Sequence, residues 1–281
     1  MYDVSVHLDE SAVAVCVVHE PCEADGKAIG TPTCERLYVY GVGASVIETS
    51  EDREYLASKL SDLRVTVAAR NGVSTSRRMV RFRRDGWHAT DDQPEFADPL
   101  IRELDLYSPH KGHVRYAVFE SPQQVEPAYE ALFVHVLTAI ISRYKHATSL
   151  SIVFEASSGM TEEGCRRIVK LAGGGEEVMV ERQPKGSDLL AVADYLLYSA
   201  IQYAARNAQI CALRQCGQNH VLPIGSTVAF DGNGSPKAAG HVSKDDRWHK
   251  LYFAFVRGMS SLVEVASTRV ATSSSGPVAE S

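Results

Sequence analysis

Between residues 121 and 204 the apolar side chains switch repeatedly between helical spacing and short continuous runs, and few architectures accommodate that alternation. Leu132, Phe133, Val136, Leu137, Ile140 and Ile141 form one stripe of a helix over residues 121–144. Ser121 and Gln124 make an S-x-x-Q capping box ahead of it, with Pro122 at the first helical position. Residues 150–154 read as a short apolar strand, Thr161 caps a helix ending at Leu171, and residues 178–180 form another short strand. A second strong helix opens at Ser187 or Asp188, with Leu190, Ala193, Leu197, Ala200, Ile201 and Ala204 facing the core. Strands alternating with helices in this way predict an α/β domain.

The N-terminal third reads as β. Val4, Val6 and Leu8 alternate with Ser5, His7 and Asp9 before an apolar run from residue 12 to 18, predicting a strand, a short break and a second strand. Residues 20–35 hold Pro21, Gly26, Gly30 and Pro32 and make a loop, and residues 37–46 supply the next strand of a hairpin sheet. Residues 51–63 form a short acidic helix with Tyr55, Leu56 and Leu60 at helical spacing, followed by a strand over residues 65–69. From residue 211 to 256, within an expected extension of residues 206–266, the pattern weakens to short β-like pieces around the Asp231-Gly232-Asn233-Gly234 turn, residues 252–256 being the best strand. That C-terminal extension is expected to pack on a core domain of residues 1–205. Residues 267–281, rich in Ser, Ala and Thr, read as a disordered tail.

At 281 residues, 44% hydrophobic and 23% charged, the chain can bury a large core, and collagenous, coiled-coil and wholly disordered readings fall away. A net charge of −6 argues against a protein that coats nucleic acid, so any phosphate contact must be local. The cysteines at 16, 22, 34, 165, 211 and 216 include no C-x-x-C pair, which points to thiols and away from a zinc site. No run approaches the roughly 20 apolar residues of a membrane helix, and the start lacks a basic region before an apolar one, so a cytoplasmic location is expected.

Asp194 is the most informative single residue. It lies four after Leu190 and three before Leu197, which puts a carboxylate on an apolar helix stripe, where it needs either a hydrogen-bonding partner or a metal ion. Asp9 and Glu10 follow the alternating stretch. Neighbouring strand residues face opposite sides, so one of them, Asp9 by its phase, faces any given cluster. Glu155 follows the 150–154 strand and precedes Ser157-Ser158-Gly159, where α/β sheets tend to place functional side chains. Brought together with Asp188, these acids would repel one another unless divalent cations neutralised them. Two Mg²⁺ or Mn²⁺ ions about 4 Å apart would then activate water for in-line phosphodiester displacement.

The stretches Leu8-Asp9-Glu10-Ser11, residues 82–92 (Phe-Arg-Arg-Asp-Gly-Trp-His-Ala-Thr-Asp-Asp) and residues 187–195 (Ser-Asp-Leu-Leu-Ala-Val-Ala-Asp-Tyr) resemble, in order and spacing, the sequence blocks of the domain-of-unknown-function 3800 family. The resemblance spans roughly residues 3–205 and rests on the combination of blocks. It implies a ribonuclease H-like mixed sheet flanked by helices and a metal-dependent nuclease activity, often in bacterial, phage or mobile-element settings. It also implies Asp9, Glu10 and Asp194 as the matching acids. Ala12 stands where family members usually have Gly, Ala191 where they usually have Gln, and Glu155 where Asp is commoner.

His88 lies inside the second block, and an imidazole beside a metal cluster can orient water or transfer a proton. Just before it stand Arg77, Arg78, Arg81, Arg83 and Arg84, with Val80 and Phe82 alternating against Arg81 and Arg83. That pattern predicts a strand with one arginine face, suited either to phosphate or to solvent at a sheet edge. Gly173-Gly174-Gly175 follows a helix and reads as its terminator, Gly41-x-Gly43 lacks the third glycine of a dinucleotide fingerprint, and no P-loop or G-x-S-x-G elbow occurs.

These residues predict a divalent-metal-dependent nuclease or phosphodiesterase with Asp9, Glu155 and Asp194 as ligands, Glu10 and Asp188 in support, and the arginines on the nucleic-acid backbone. The departures at Ala12 and Ala191 and the negative charge motivate an alternative, a catalytically degenerate ribonuclease H-like module that binds nucleic acid or a protein partner, itself included. A hydrolase of small nucleotides is a third reading, marked by a narrow pocket in place of an open groove.

Overall fold

The computed structural model describes residues 2–19, 22–24, 27–29, 33–70, 77–90, 92, 94–106, 111–121, 125–156, 159–215, 229–230, 236–237 and 261–264. Pro122 and Gln124 of the expected capping box, Ser157-Ser158, the turn at 231–234, the strand at 252–256 and the tail from 267 lie outside the described residues.

The chain opens with β1 (Asp3–His19), the short strands β2 (Cys22–Ala24) and β3 (Lys27–Ile29), and β4 (Thr33–Ile47). β1 and β4 pair antiparallel from Ser5↔Ile47 to His19↔Thr33 without interruption, so the break expected near residue 10 is absent. Continuous pairing on one edge holds the backbone extended through Asp9 and Glu10 even though the apolar alternation lapses there. Three helices follow: α1 (Ser50–Arg70), α2 (Arg77–Asp85) and α3 (Pro94–Leu106). Thr49 starts α1, its Oγ1 accepting from the Asp52 amide at 3.0 Å while donating to Asp52 Oδ2 at 2.7 Å, a reciprocal cap.

Two local expectations are corrected here. Residues 65–69 are the last turns of α1, with Val67 buried and Val65 exposed, and not a strand. Likewise the arginine segment is helix α2. Met79 and Phe82, three apart, face the core, and Phe82 stacks on Phe96 at 4.8 Å and meets Trp87 edge-on at 4.9 Å. In so short a window, alternation and i,i+3 spacing coincide, and aromatic packing selects the helix.

β5 (Lys111–Phe119) comes next, then α4 (Val125–Tyr144), β6 (Ser149–Glu155), α5 (Glu162–Leu171), β7 (Met179–Gln183) and α6 (Asp188–Gln215). The remaining pieces are β8 (Ala229–Phe230), β9 (Pro236–Lys237) and β10 (Ser261–Glu264). Thr161 caps α5 as the sequence predicts, its hydroxyl accepting from the Gly164 amide at 3.1 Å. α6 continues through residue 205, where the domain was expected to end.

The main sheet runs β10-β5-β4-β1-β6-β7. β4 runs antiparallel to both its neighbours, β5 and β1, whereas β6 and β7 run parallel to β1 on its other side. Helices cover both faces. Val4, Val6 and Leu8 pack with α4 and α5 on one, while α6, α1 and α3 build the core on the other. This mixed sheet, three antiparallel strands continued by two parallel ones between helical layers, is the ribonuclease H-like architecture. Among the described residues, no helix is long and apolar enough to cross a membrane.

Gly41 and Gly43 have a structural purpose unrelated to nucleotide binding. Both lie on β4 beneath α6. A Cβ at Gly43 would sit 2.7 Å from Leu197 Cβ, and one at Gly41 would collide with Ile201. Missing side chains at these positions let α6 settle directly on the sheet, bringing Asp194 down to the level of the strand-borne acids.

Candidate active site

β6 pairs with β1 up to Leu8↔Phe154, so Asp9 and Glu155 are the next residues on each strand, at the edge where the parallel pairing stops. Leu8 and Phe154 face α4, hence both acids face α6. Asp9 is 7% exposed and Glu155 8%, and the two carboxyls act on each other, a repulsion that a shared proton or a nearby cation relieves. Asp194 adds its charge from α6. Burial, the Asp194 charge and the Glu155 contact together push the Asp9 carboxyl well above the usual carboxylate range.

Asp194 is held by the second sequence block. Its Oδ2 accepts the Ala89 amide at 2.8 Å and lies 3.7 Å from His88 Nδ1. Burial raises its carboxyl, against the opposing pull of His88 and the Ala89 amide. Asp92 fixes that loop. Its Oδ2 accepts the His88 amide at 2.7 Å and the Tyr195 hydroxyl at 2.6 Å, and its Oδ1 accepts Arg81 Nη2 at 2.7 Å. Residues 82–92 and 187–195 are thus one structural unit, and the residues after Phe82 serve to aim the helix acid.

Glu10 faces the opposite side of the sheet, hydrogen-bonded to Tyr129 of α4, and burial lifts its carboxyl to about 7. Glu155 and Lys185 act on it electrostatically, so it borders the cluster. Asp188 has a different partner. Arg64 Nη1 lies 3.2 Å from its Oδ1, and its titration is governed by burial and by Arg64. The structure therefore brings together Asp9, Glu155 and Asp194, sets Glu10 and His88 beside them, and places Asp188 in an ion pair.

The arginines divide by role. Arg81 is committed to the buried Asp92, Arg84 is exposed and pairs with the adjacent Asp85 at 2.6 Å, and Arg77 and Arg83 are exposed on α2. The Arg78 side chain lies outside the described residues.

Sequence reasoning passed over two residues. Lys185, on the turn between β7 and α6, puts Nζ 3.8 Å from Glu155 Oε1. It follows a parallel strand and precedes a helix, the same kind of position that drew attention to Glu155. Tyr129, its ring tilted against Phe133 at 5.1 Å and Tyr40 at 5.6 Å, is a helix aromatic without any local mark of its proximity to Glu10.

Chemically the donor set suits a hard cation: carboxylate oxygens, mutually repelling and largely withdrawn from water. Among the described residues, no group of three or more His, Cys, Asp or Glu side chains already converges on one metal position.

No family model matches the chain, and no curated protein matches it. The solved structures similar to it include the following two. One is a PCNA:RNase HII complex from Archaeoglobus fulgidus, at 14% identity over 91% of this chain and 90% of that one, with a TM-score of 0.34. The other is ribonuclease H2 from Pyrococcus horikoshii OT3, at 14% identity over 90% of this chain and 99% of that one, with a TM-score of 0.31. Both overlays are loose, and the architecture rests on the strand order and register described above.

Proposed function

We propose that this chain is a divalent-metal-dependent nuclease or phosphodiesterase of the domain-of-unknown-function 3800 type, with Asp9, Glu155 and Asp194 holding Mg²⁺ or Mn²⁺. The observation that carries the reading is the gathering of two buried carboxylates, Asp9 of β1 and Glu155 of β6, with the half-buried Asp194 of α6 at one sheet edge. Burying like charges without a compensating cation is costly, and a fold tolerates it where a ligand resolves the repulsion. A bound divalent cation supplies Lewis acidity and an activated water. Glu10 supports the cluster from the far side of β1, the His88 imidazole is placed for proton transfer beside Asp194, and Arg77 and Arg83 contact the nucleic-acid backbone from α2.

Calorimetric titration of Mn²⁺ into wild type and Asp194→Ala tests this directly. Saturable binding lost in the variant, followed by Mn²⁺-dependent cleavage of DNA or RNA, is the expected result. Wild type that neither binds Mn²⁺ nor cuts any nucleic acid overturns the proposal.

A second reading, a non-cutting module that binds nucleic acid or a protein, draws on the absence of a convergent three-ligand group among the described residues and on Lys185 already pairing with Glu155. It requires Asp194→Asn to leave nucleic-acid binding intact while Arg77→Glu with Arg83→Glu abolishes it.

A further inference from the structure

We propose that Lys185 is a resident cation of the acidic site: its ammonium occupies the position of a second metal ion, so the site takes one divalent cation and presents Lys185 to a substrate phosphate. The inference rests on the metal-dependent reading above and specifies its stoichiometry.

Lys185 is carried by a turn braced on every side. Ser187 donates its amide to the Pro184 carbonyl at 3.0 Å and its hydroxyl to Gln183 Oε1 at 2.8 Å. The Gly186 carbonyl accepts Arg64 Nη1 at 3.2 Å, and the same guanidinium holds Asp188 at the head of α6. On the other side, the Ala156 amide donates to the Gln183 carbonyl at 2.7 Å, tying the turn to the residue after Glu155. These bonds converge on one result: a lysine whose backbone has little freedom and whose Nζ stands 3.8 Å from a carboxylate oxygen of the cluster.

An ordinary surface pair joins two solvated partners and contributes little. Here the Glu155 side chain is 10% exposed while the lysine remains 42% exposed. The ammonium is therefore set against a buried anion on one side and open to an incoming anion on the other. A lysine is a compact point charge with three donors and can serve a carboxylate and a phosphate oxygen together. A second divalent ion bound through Glu155 would meet that ammonium at close range, and the like charges repel.

Mn²⁺ stoichiometry, measured by calorimetry and by the spin–spin coupling that paired Mn²⁺ ions show in electron paramagnetic resonance, tests the assignment without reference to catalysis. Wild type and Lys185→Arg are expected to bind one uncoupled ion. Lys185→Gln, a substitution at an exposed side chain that the fold tolerates, is expected to bind the first ion about tenfold more tightly at low salt and to admit a coupled second one. Two coupled ions in wild type, or no change in Lys185→Gln, overturn the role of Lys185 while leaving the metal site standing. No ion in any variant overturns the metal-dependent reading, and this inference with it.

Discussion

The Ala89 amide donates to Asp194 Oδ2 at 2.8 Å, joining a loop to a helix 105 residues further along the chain. That one bond orients the helix acid toward the strand acids, and it separates two ways of altering Asp194. Because burial raises the Asp194 carboxyl in the folded state, its stabilising contribution is present below the unfolded carboxyl pKa and is lost as pH rises through the folded value. The ionised, metal-free cluster is therefore a liability at neutral pH. Asp194→Asn keeps an oxygen for the Ala89 amide and removes the charge. Metal-free Asp194→Asn should melt above wild type near pH 8, by roughly 2–4 °C for each kcal/mol gained, and not near pH 4. An equal or lower melting temperature at pH 8 would show that Asp194 is already neutral or compensated.

His7 titrates the other way. It is 2% exposed, and burial, aided by Arg53, lowers its pKa from 6.5 to about 4. Between those values the unfolded chain binds a proton that the folded one refuses, so the His7 contribution is intact above pH 6.5 and lost as pH falls toward 4. Full loss amounts to about 3 kcal/mol. Chemical denaturation of wild type and His7→Gln at several pH values should show a shallower acid decline in the variant. His113, also lowered to about 4, leaves part of the slope in place.

Gly43 and Gly41 make contrasting predictions. Gly43→Ala puts a methyl 2.7 Å from Leu197 Cβ, an atom that truncating Leu197 to alanine does not remove. It should destabilise the fold by about 1–3 kcal/mol and weaken Mn²⁺ binding by lifting Asp194 off the sheet. Gly41→Ala collides first with the tip of Ile201. Ile201→Val removes that tip, so the Gly41→Ala/Ile201→Val double variant should recover stability relative to Gly41→Ala alone. Additive losses in the double variant would mean that the tip contact is not what the methyl disturbs.

Arg81 and Arg83 are two apart and should behave as different kinds of residue. Arg81→Met leaves the fully buried Asp92 carboxylate without its guanidinium and should cost about 3 kcal/mol of stability. Arg77→Glu and Arg83→Glu, at exposed positions, should lower the melting temperature less than Arg81→Met does and weaken nucleic-acid binding, with a shallower salt dependence. Unfolding titrations and binding isotherms at two salt concentrations distinguish the two behaviours.

Much of the fold is legible locally. The cap at Thr161, the stripe from Leu190 to Ala204 and the apolar strand before Glu155 are decided by neighbours within a turn or two, which is why the sequence determines them. The chemistry of the individual acids is equally readable, since a carboxylate on an apolar stripe or at a strand end must find a partner wherever the chain goes. What the partner is, only the tertiary structure decides. Residues 65–69 and 77–85 suit strand and helix alike, and packing of Val67, Met79 and Phe82 against distant elements selects helix. Asp188 meets Arg64 and Asp194 meets Ala89, although both acids begin the same helix, because side chains six residues apart face different neighbours. Lys185 reaches the cluster because β7 lies beside β6, a sheet neighbour that no local pattern names.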